Sequence, residues 1–141
     1  MKPTESKRIL IVDDDPSIRT SLSAILETEG YQISSAADGE AAIEALLNQN
    51  FDLAILDLAM PGPNGLEVLK EFHSRRGTDA TPVLILTAYG SVDAAVASAR
   101  YGAIDFLHKP ILPETLRCSV RQAIARELRG PLVDHSDNYA G

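Results

Sequence analysis

Four apolar runs of this chain each lead into a different polar group. Asp13 and Asp14 follow Ile9–Val12, Asp57 follows Leu53–Leu56, Thr87 follows Val83–Leu86, and Lys109 follows Phe106-Leu107-His108. A strand buried on both faces of a parallel sheet reads as a continuous apolar run. The residue just past its C-terminal end stands at the rim, where open α/β sheets bind ligands. Three carboxylates, one hydroxyl and one ammonium at such ends would meet in one cleft. That set suits a divalent cation, a nucleophilic carboxylate and a phosphoryl group.

Electrostatics sharpens the choice. Two carboxylates about 5 Å apart repel by about 3 kcal/mol at an effective dielectric of about 20. Three do not stay ionised together without a cation, and oxygen-only ligands favour Mg²⁺. Asp57 is the candidate nucleophile, since a carboxylate can accept a phosphoryl group. Such a transfer needs positioning and charge neutralisation more than acid–base chemistry. The metal and Lys109 would neutralise charge, and Thr87 would hydrogen-bond a phosphoryl oxygen. Singly, Thr87 is an ordinary strand end and Lys109 a surface lysine; their weight comes from joint placement. Asp15, next to Pro16, reads as a helix cap instead. The Lys109-Pro110 bond can be cis at small cost, and the sequence leaves its isomer open.

Strand and helix must alternate five times to position these groups. Strands are expected near 8–13, 31–36, 52–57, 82–87 and 104–108, and helices near 16–29, 39–48, 65–75, 91–101 and 113–128. That alternation implies an α/β fold with a parallel sheet covered on both faces. Ile18, Leu22, Ile25 and Leu26 repeat at helical spacing behind Pro16. Asp38 caps the second helix, and Asn64-Gly65-Leu66-Glu67 resembles a capping box. Leu116, Val120, Ile124 and Leu128 recur every fourth residue in the fifth helix. The fourth differs: Val92, Ala94, Ala95, Val96, Ala97 and Ala99 are mostly small. It can bury less area, which makes it the part expected to shift most easily.

Composition excludes other classes. A chain of 141 residues with 45% hydrophobic content fits one domain with its own core. No apolar run reaches the length of a membrane span. Met1–Arg8 leads straight into the first strand, which argues against a signal peptide. The single cysteine, Cys118, fits a reducing cytoplasm. A net charge of −7 argues against direct nucleic-acid binding through a basic surface. Tyr31, Tyr89, Tyr101 and Tyr139 form no stacking platform, and His73, His108 and His135 lack metal-ligand spacing. Residues 129–141, after the fifth helix, read as a tail or truncated linker.

Together these motifs resemble the receiver domain of two-component response regulators. The matching stretches are Ile9–Asp15, Leu56–Gly65, Leu86–Gly90 and Gly102–Pro110, in family order and spacing. The resemblance covers about residues 8–128, leaving 1–7 as a lead, and implies a single doubly wound, flavodoxin-like five-stranded parallel sheet of strand order 2-1-3-4-5. It implies a phosphorylation-dependent signalling switch in the cytoplasm, not a stand-alone enzyme, although it assists its own phosphorylation and dephosphorylation. Asp57 resembles the phosphoacceptor. Asp14 and Asp57 resemble direct Mg²⁺ ligands, Asp13 would act through a water, and the Ala59 backbone carbonyl would be the third protein ligand. Thr87 and Lys109 match the residues that hold the phosphoryl group, and Phe106 matches the switch aromatic. The implied donor is a sensor histidine kinase or phosphotransfer protein. The implied output is a partner such as a transcriptional effector domain, or a phosphorylation-dependent homodimer, without nucleic-acid or membrane contact by this domain. The readout face would be the fourth helix, fifth strand and fifth helix, with Arg100, Tyr101, Asp105, Arg117 and Arg121 as candidate contacts.

Three positions depart from common members. Phe106 lacks the hydroxyl of a frequent Tyr. Ala59 cannot position an attacking water through its side chain, and Tyr89 is bulky enough to screen the site. Both predict slow self-dephosphorylation. The competing enzymatic reading is a Mg²⁺-dependent hydrolase with an aspartyl nucleophile. Such enzymes carry a second Asp two residues on, where this chain has Ala59, and a cap domain that this sequence does not offer. A phosphate-independent interaction module is the third reading; the complete Asp13, Asp14, Asp57, Thr87 and Lys109 set argues against it.

Overall fold

A computed structural model describes residues 6–76, 81–88 and 90–129, with the side chains of 126–129 left aside. Tyr89 and the segment beyond 129, on which two of the expectations above fall, lie outside the described residues. Five strands and five helices alternate: β1 (Arg8–Val12), α1 (Pro16–Glu27), β2 (Gln32–Ala36), α2 (Gly39–Asn48), β3 (Leu53–Leu56), α3 (Gly65–Arg76), β4 (Val83–Thr87), α4 (Val92–Arg100), β5 (Ala103–His108) and α5 (Pro113–Arg129). All four strand pairings are parallel, and the sheet order is β2-β1-β3-β4-β5.

The three inner strands are apolar for a reason visible in their burial. Successive side chains of a strand point to opposite faces. Leu10 and Val12 of β1 join Leu56, Ala42, Leu46, Val68, Leu69 and Phe72 in one core, beneath α2 and α3. Ile9 and Ile11 join Ile55, Leu22, Leu26, Leu116, Val120 and Ile124 in the other, beneath α1 and α5. The outer strands are half-buried and mix polar residues accordingly. A register irregularity between Val83 and Leu84 interrupts the β4–β5 ladder.

The helix starts follow the expected chemistry. Asp15 accepts from the Ser17 N–H at 2.9 Å, with Pro16 in the first turn of α1. Asp38 accepts from the Ala41 N–H at 2.8 Å. Asn64 and Glu67 form a reciprocal capping box, each donating its N–H to the other's side chain at 2.9 Å. On α4 the apolar set does not act as a buried stripe. Val92 and Val96 are 77% and 53% exposed, and Ser98 is the buried residue of that helix. Valines spaced one turn apart share one face, and here that face looks outward.

Candidate functional site

The ladder runs past the strand ends and sets the functional residues side by side. The Asp13 N–H donates to Ala36 O at 3.2 Å, the Asp57 N–H to Val12 O at 3.0 Å, and the Lys109 N–H to Thr87 O at 2.9 Å. Val12 lies opposite Leu56, and Leu56 opposite Ile85. Asp13, Asp57, Thr87 and Lys109 therefore occupy adjacent rows at one edge of the sheet. Asp13, Asp57 and Lys109 border a cavity of about 370 Å³ whose lining includes Asp14, Ala59 and Ala88.

The polar contacts interlock. Lys109 Nζ bridges two carboxylates, 2.6 Å from Asp13 Oδ2 and 2.8 Å from Asp57 Oδ2. The Thr87 hydroxyl donates to Asp57 Oδ1 at 2.7 Å, and the Ala59 N–H donates to the same oxygen at 3.1 Å. Asp13 Oδ1 accepts from the Asp15 N–H at 3.0 Å. Asp13, Asp57 and Thr87 are buried, whereas Asp14 is exposed at the rim. The Lys109-Pro110 bond is cis.

These contacts move the titrations apart. Burial pushes the Asp57 carboxyl up, but hydrogen bonds from Lys109, Thr87 and the Ala59 N–H outweigh it and hold the group below its ordinary 3.8. At Asp13 burial wins, and the carboxyl rises above 3.8 despite Lys109 and the Asp15 N–H. Burial alone would lower the Lys109 ammonium; the hydrogen bonds and charges of Asp13 and Asp57 reverse this and raise it above 10.5. Asp57 is thus the buried carboxylate held most firmly in its ionised, nucleophilic form.

One carboxylate oxygen from each of Asp13, Asp14 and Asp57 lies within 4.8 Å of the other two. An all-oxygen set of this size fits a hard divalent cation such as Mg²⁺, which takes one or two carboxylates and keeps waters.

Two supports were not visible in the sequence motifs. Arg19 donates to the Asp13 backbone carbonyl at 2.7 Å. Long helical side chains lean toward the helix N-terminus, so a basic residue early in α1 was the available signal. Gly65, at the start of α3, lies so close to the Asp57 carbonyl and to Leu58 Cα that a Cβ there would collide with both. Its own N–H donates to Leu58 O at 2.9 Å.

The expected readout residues fare unevenly. Arg100 and Asp105 are exposed. Tyr101 packs against α3, with Lys70 Nζ 5.4 Å from its ring centre and the His73 ring 6.0 Å away. Arg117 and Arg121 reach back to Glu29 at 3.6 and 3.5 Å.

A family model described as the response regulator receiver domain matches residues 9–121. The chain belongs to the response regulator receiver domain family. Receiver domains of this family are phosphorylation-dependent switches of two-component signalling. This receiver is 40% identical over 121 residues to the transcriptional regulatory protein ZraR of Klebsiella oxytoca, covering 86% of this chain and 27% of that protein. It is 37% identical over 126 residues to the transcriptional regulatory protein ResD of Bacillus subtilis, covering 89% of this chain and 51% of that one. The chain thus spans about a quarter to a half of the curated relatives it matches. The CheY-like receiver domain protein of Methanospirillum hungatei superposes with a TM-score of 0.85 at 32% identity, covering 90% of this receiver and all of that chain. No helix among the described residues is long and apolar enough to cross a membrane.

Proposed function

We propose that this receiver accepts a phosphoryl group on Asp57 from a phosphohistidine donor, a sensor histidine kinase or phosphotransfer protein, and thereby changes the surface it offers a partner. The observation that carries the reading is the Asp57 carboxylate itself. It is buried, held ionised, and bordered by an ammonium, a hydroxyl and a backbone N–H. In the transfer, the P–N bond of the donor breaks as a bond forms between phosphorus and an Asp57 oxygen. Lys109 meets the charge that gathers on the phosphoryl oxygens. Thr87 gives up its bond to the Asp57 oxygen and donates to a phosphoryl oxygen instead.

Asp14, Asp57 and the Ala59 carbonyl would hold Mg²⁺ directly. Both Asp13 oxygens already accept from Lys109 and the Asp15 N–H, which suits contact through a water. Bound there, the cation supplies neutralisation of the carboxylates and of the incoming phosphoryl charge. Phe106, half-buried on β5, is the switch aromatic and turns inward as Thr87 withdraws. The domain shifts between two states by as much as phosphate favours one of them. It acts in the cytoplasm, as a switch without a turnover substrate of its own. The output is a partner that regulates transcription, as the relatives' names state for those proteins, or a second copy of this domain.

Incubation with acetyl phosphate and Mg²⁺, read by intact mass, tests the assignment. One phosphoryl group should be gained, a gain that chelation of Mg²⁺ beforehand prevents and that is absent in Asp57→Asn. A folded wild type that gains none would overturn it. In the phosphorylated protein, Ala59→Asn should shorten the phosphate half-life, and an unchanged half-life would remove Ala59 as the cause of slow hydrolysis.

A further inference from the structure

Ala59 reaches the cavity from the short segment, residues 58–64, that joins Asp57 to α3. Its two neighbours, Leu58 and Met60, pack in the core beneath α2 and α3, which leaves Ala59 at the cavity wall. The close approach of Gly65 to Asp57 and Leu58 fixes where the segment begins. Its other end rests on α2. Gly39 opens that helix directly after its cap, Asp38, and is buried. A Cβ on Gly39 would lie 2.9 Å from Pro63 Cβ and 3.0 Å from the Pro63 carbonyl carbon, and nearer still to the carbonyl oxygen.

Neither the backbone nor the helix asks for glycine here. Gly39 does not share the positive φ of Gly30, Gly62 and Gly102, and alanine is the better helix former. What needs the bare α-carbon is the Pro63 carbonyl. That obstacle is backbone, which cannot swing aside as a side-chain tip can. It would have to retreat, and only three residues separate Pro63 from Ala59. Proline rings fix φ at Pro61 and Pro63, so the segment has little freedom to absorb the shift before it reaches Ala59. A Mg²⁺ site tolerates little departure from octahedral geometry.

We propose that Gly39 is a positioning residue for the Mg²⁺ site: its bare α-carbon, at the start of α2, is the seat of the Pro63 carbonyl and thereby sets the place of the Ala59 carbonyl relative to Asp14 and Asp57. The inference rests on the reading of Ala59 as a ligand given above. None of the described residues of α2 lines the cavity, yet through this one contact the helix takes part in holding the cation.

Mg²⁺ binding, followed by the backbone amide resonances of Asp57 and Ala59 without any phosphoryl donor, tests this. Gly39→Ala should weaken Mg²⁺ binding about tenfold. With acetyl phosphate, the Mg²⁺ concentration for half-maximal phosphorylation should rise by the same factor, while the rate at saturating Mg²⁺ stays within about twofold of wild type. Ala41→Gly, at an exposed position in the first turn of α2, is the control. It weakens the helix but adds no atom near Pro63, and should lower the thermal midpoint without changing Mg²⁺ affinity. Pro63→Gly, which frees φ at the seat, should weaken Mg²⁺ binding in the same direction, and decides the question if Gly39→Ala does not fold. An unchanged Mg²⁺ affinity in folded Gly39→Ala, or in Pro63→Gly where the first variant does not fold, overturns the proposal. An equal loss in Ala41→Gly overturns it too. Where wild type binds Mg²⁺ and is phosphorylated, either result sinks this inference alone; a wild type that binds no Mg²⁺ sinks the reading of Ala59 as a ligand with it.

Discussion

At the corner where β1, β3, β4 and β5 end, Asp13, Asp57 and Thr87 are buried and their side chains meet Lys109, backbone N–H groups or one another. On α4 the buried residue is Ser98, whose hydroxyl finds no hydrogen-bond partner among the described residues, and the two valines face outward. One region is polar, enclosed and mutually satisfied. The other is apolar, exposed and thinly anchored. A buried charge cluster tolerates little displacement, because each group that loses its partner pays a desolvation cost. A helix resting on small side chains tolerates much more. Chemistry needs the first property and a readout surface the second, and the fold supplies them at neighbouring strand ends.

The contrast can be broken by mutation. Leu84, fully buried in β4 in the core beneath α1 and α5, should lose about 4 kcal/mol of stability as Leu84→Ala, measured by urea unfolding. A loss under about 1 kcal/mol would mean the core beneath the site is not close-packed.

Lys109→Met should cost about 3 kcal/mol without added metal, because it leaves two buried carboxylates facing each other. Its pH dependence has a definite sign. The folded ammonium titrates above 10.5, so its contribution is fully present below pH 10.5 and fades as pH rises through the folded value. The stability gap between wild type and variant should close there. On the acid side the gap should narrow first as Asp13 takes up a proton, above 3.8, and then as Asp57 does, below 3.8. A gap that stays constant across both limits would show that the lysine does not act through charge.

Val96→Ala should change stability by less than about 0.5 kcal/mol. A larger loss in calorimetry would mean that α4 is anchored by that face after all.

Much of this was legible in the sequence, for identifiable reasons. Apolar runs bounded by polar residues fixed the strands to within a residue or two, because parallel strands covered on both faces admit little else. Asp13, Asp57, Thr87 and Lys109 could be read as neighbours because each sits at or just past the end of its strand, with Asp14 one residue further on. The order β2-β1-β3-β4-β5 came from the family resemblance, since alternation alone allows several windings. Contacts that depend on tertiary approach stayed hidden: Arg19 on the Asp13 carbonyl, Gly65 against Asp57, and Glu29 holding Arg117 and Arg121. The outward turn of Val92 and Val96 was missed because a helix of small residues has no strong stripe to orient it.

The pairing of Val12 with Leu56 and of Leu56 with Ile85 acts as a reading frame. One residue inserted in β1 or β3 would move the following carboxylate by about 3.3 Å along the sheet and reverse which core each later side chain enters. Length can therefore vary among descendants of this chain in the turns at the far end of the sheet. Within these strands an insertion or deletion is a frameshift of the chemistry.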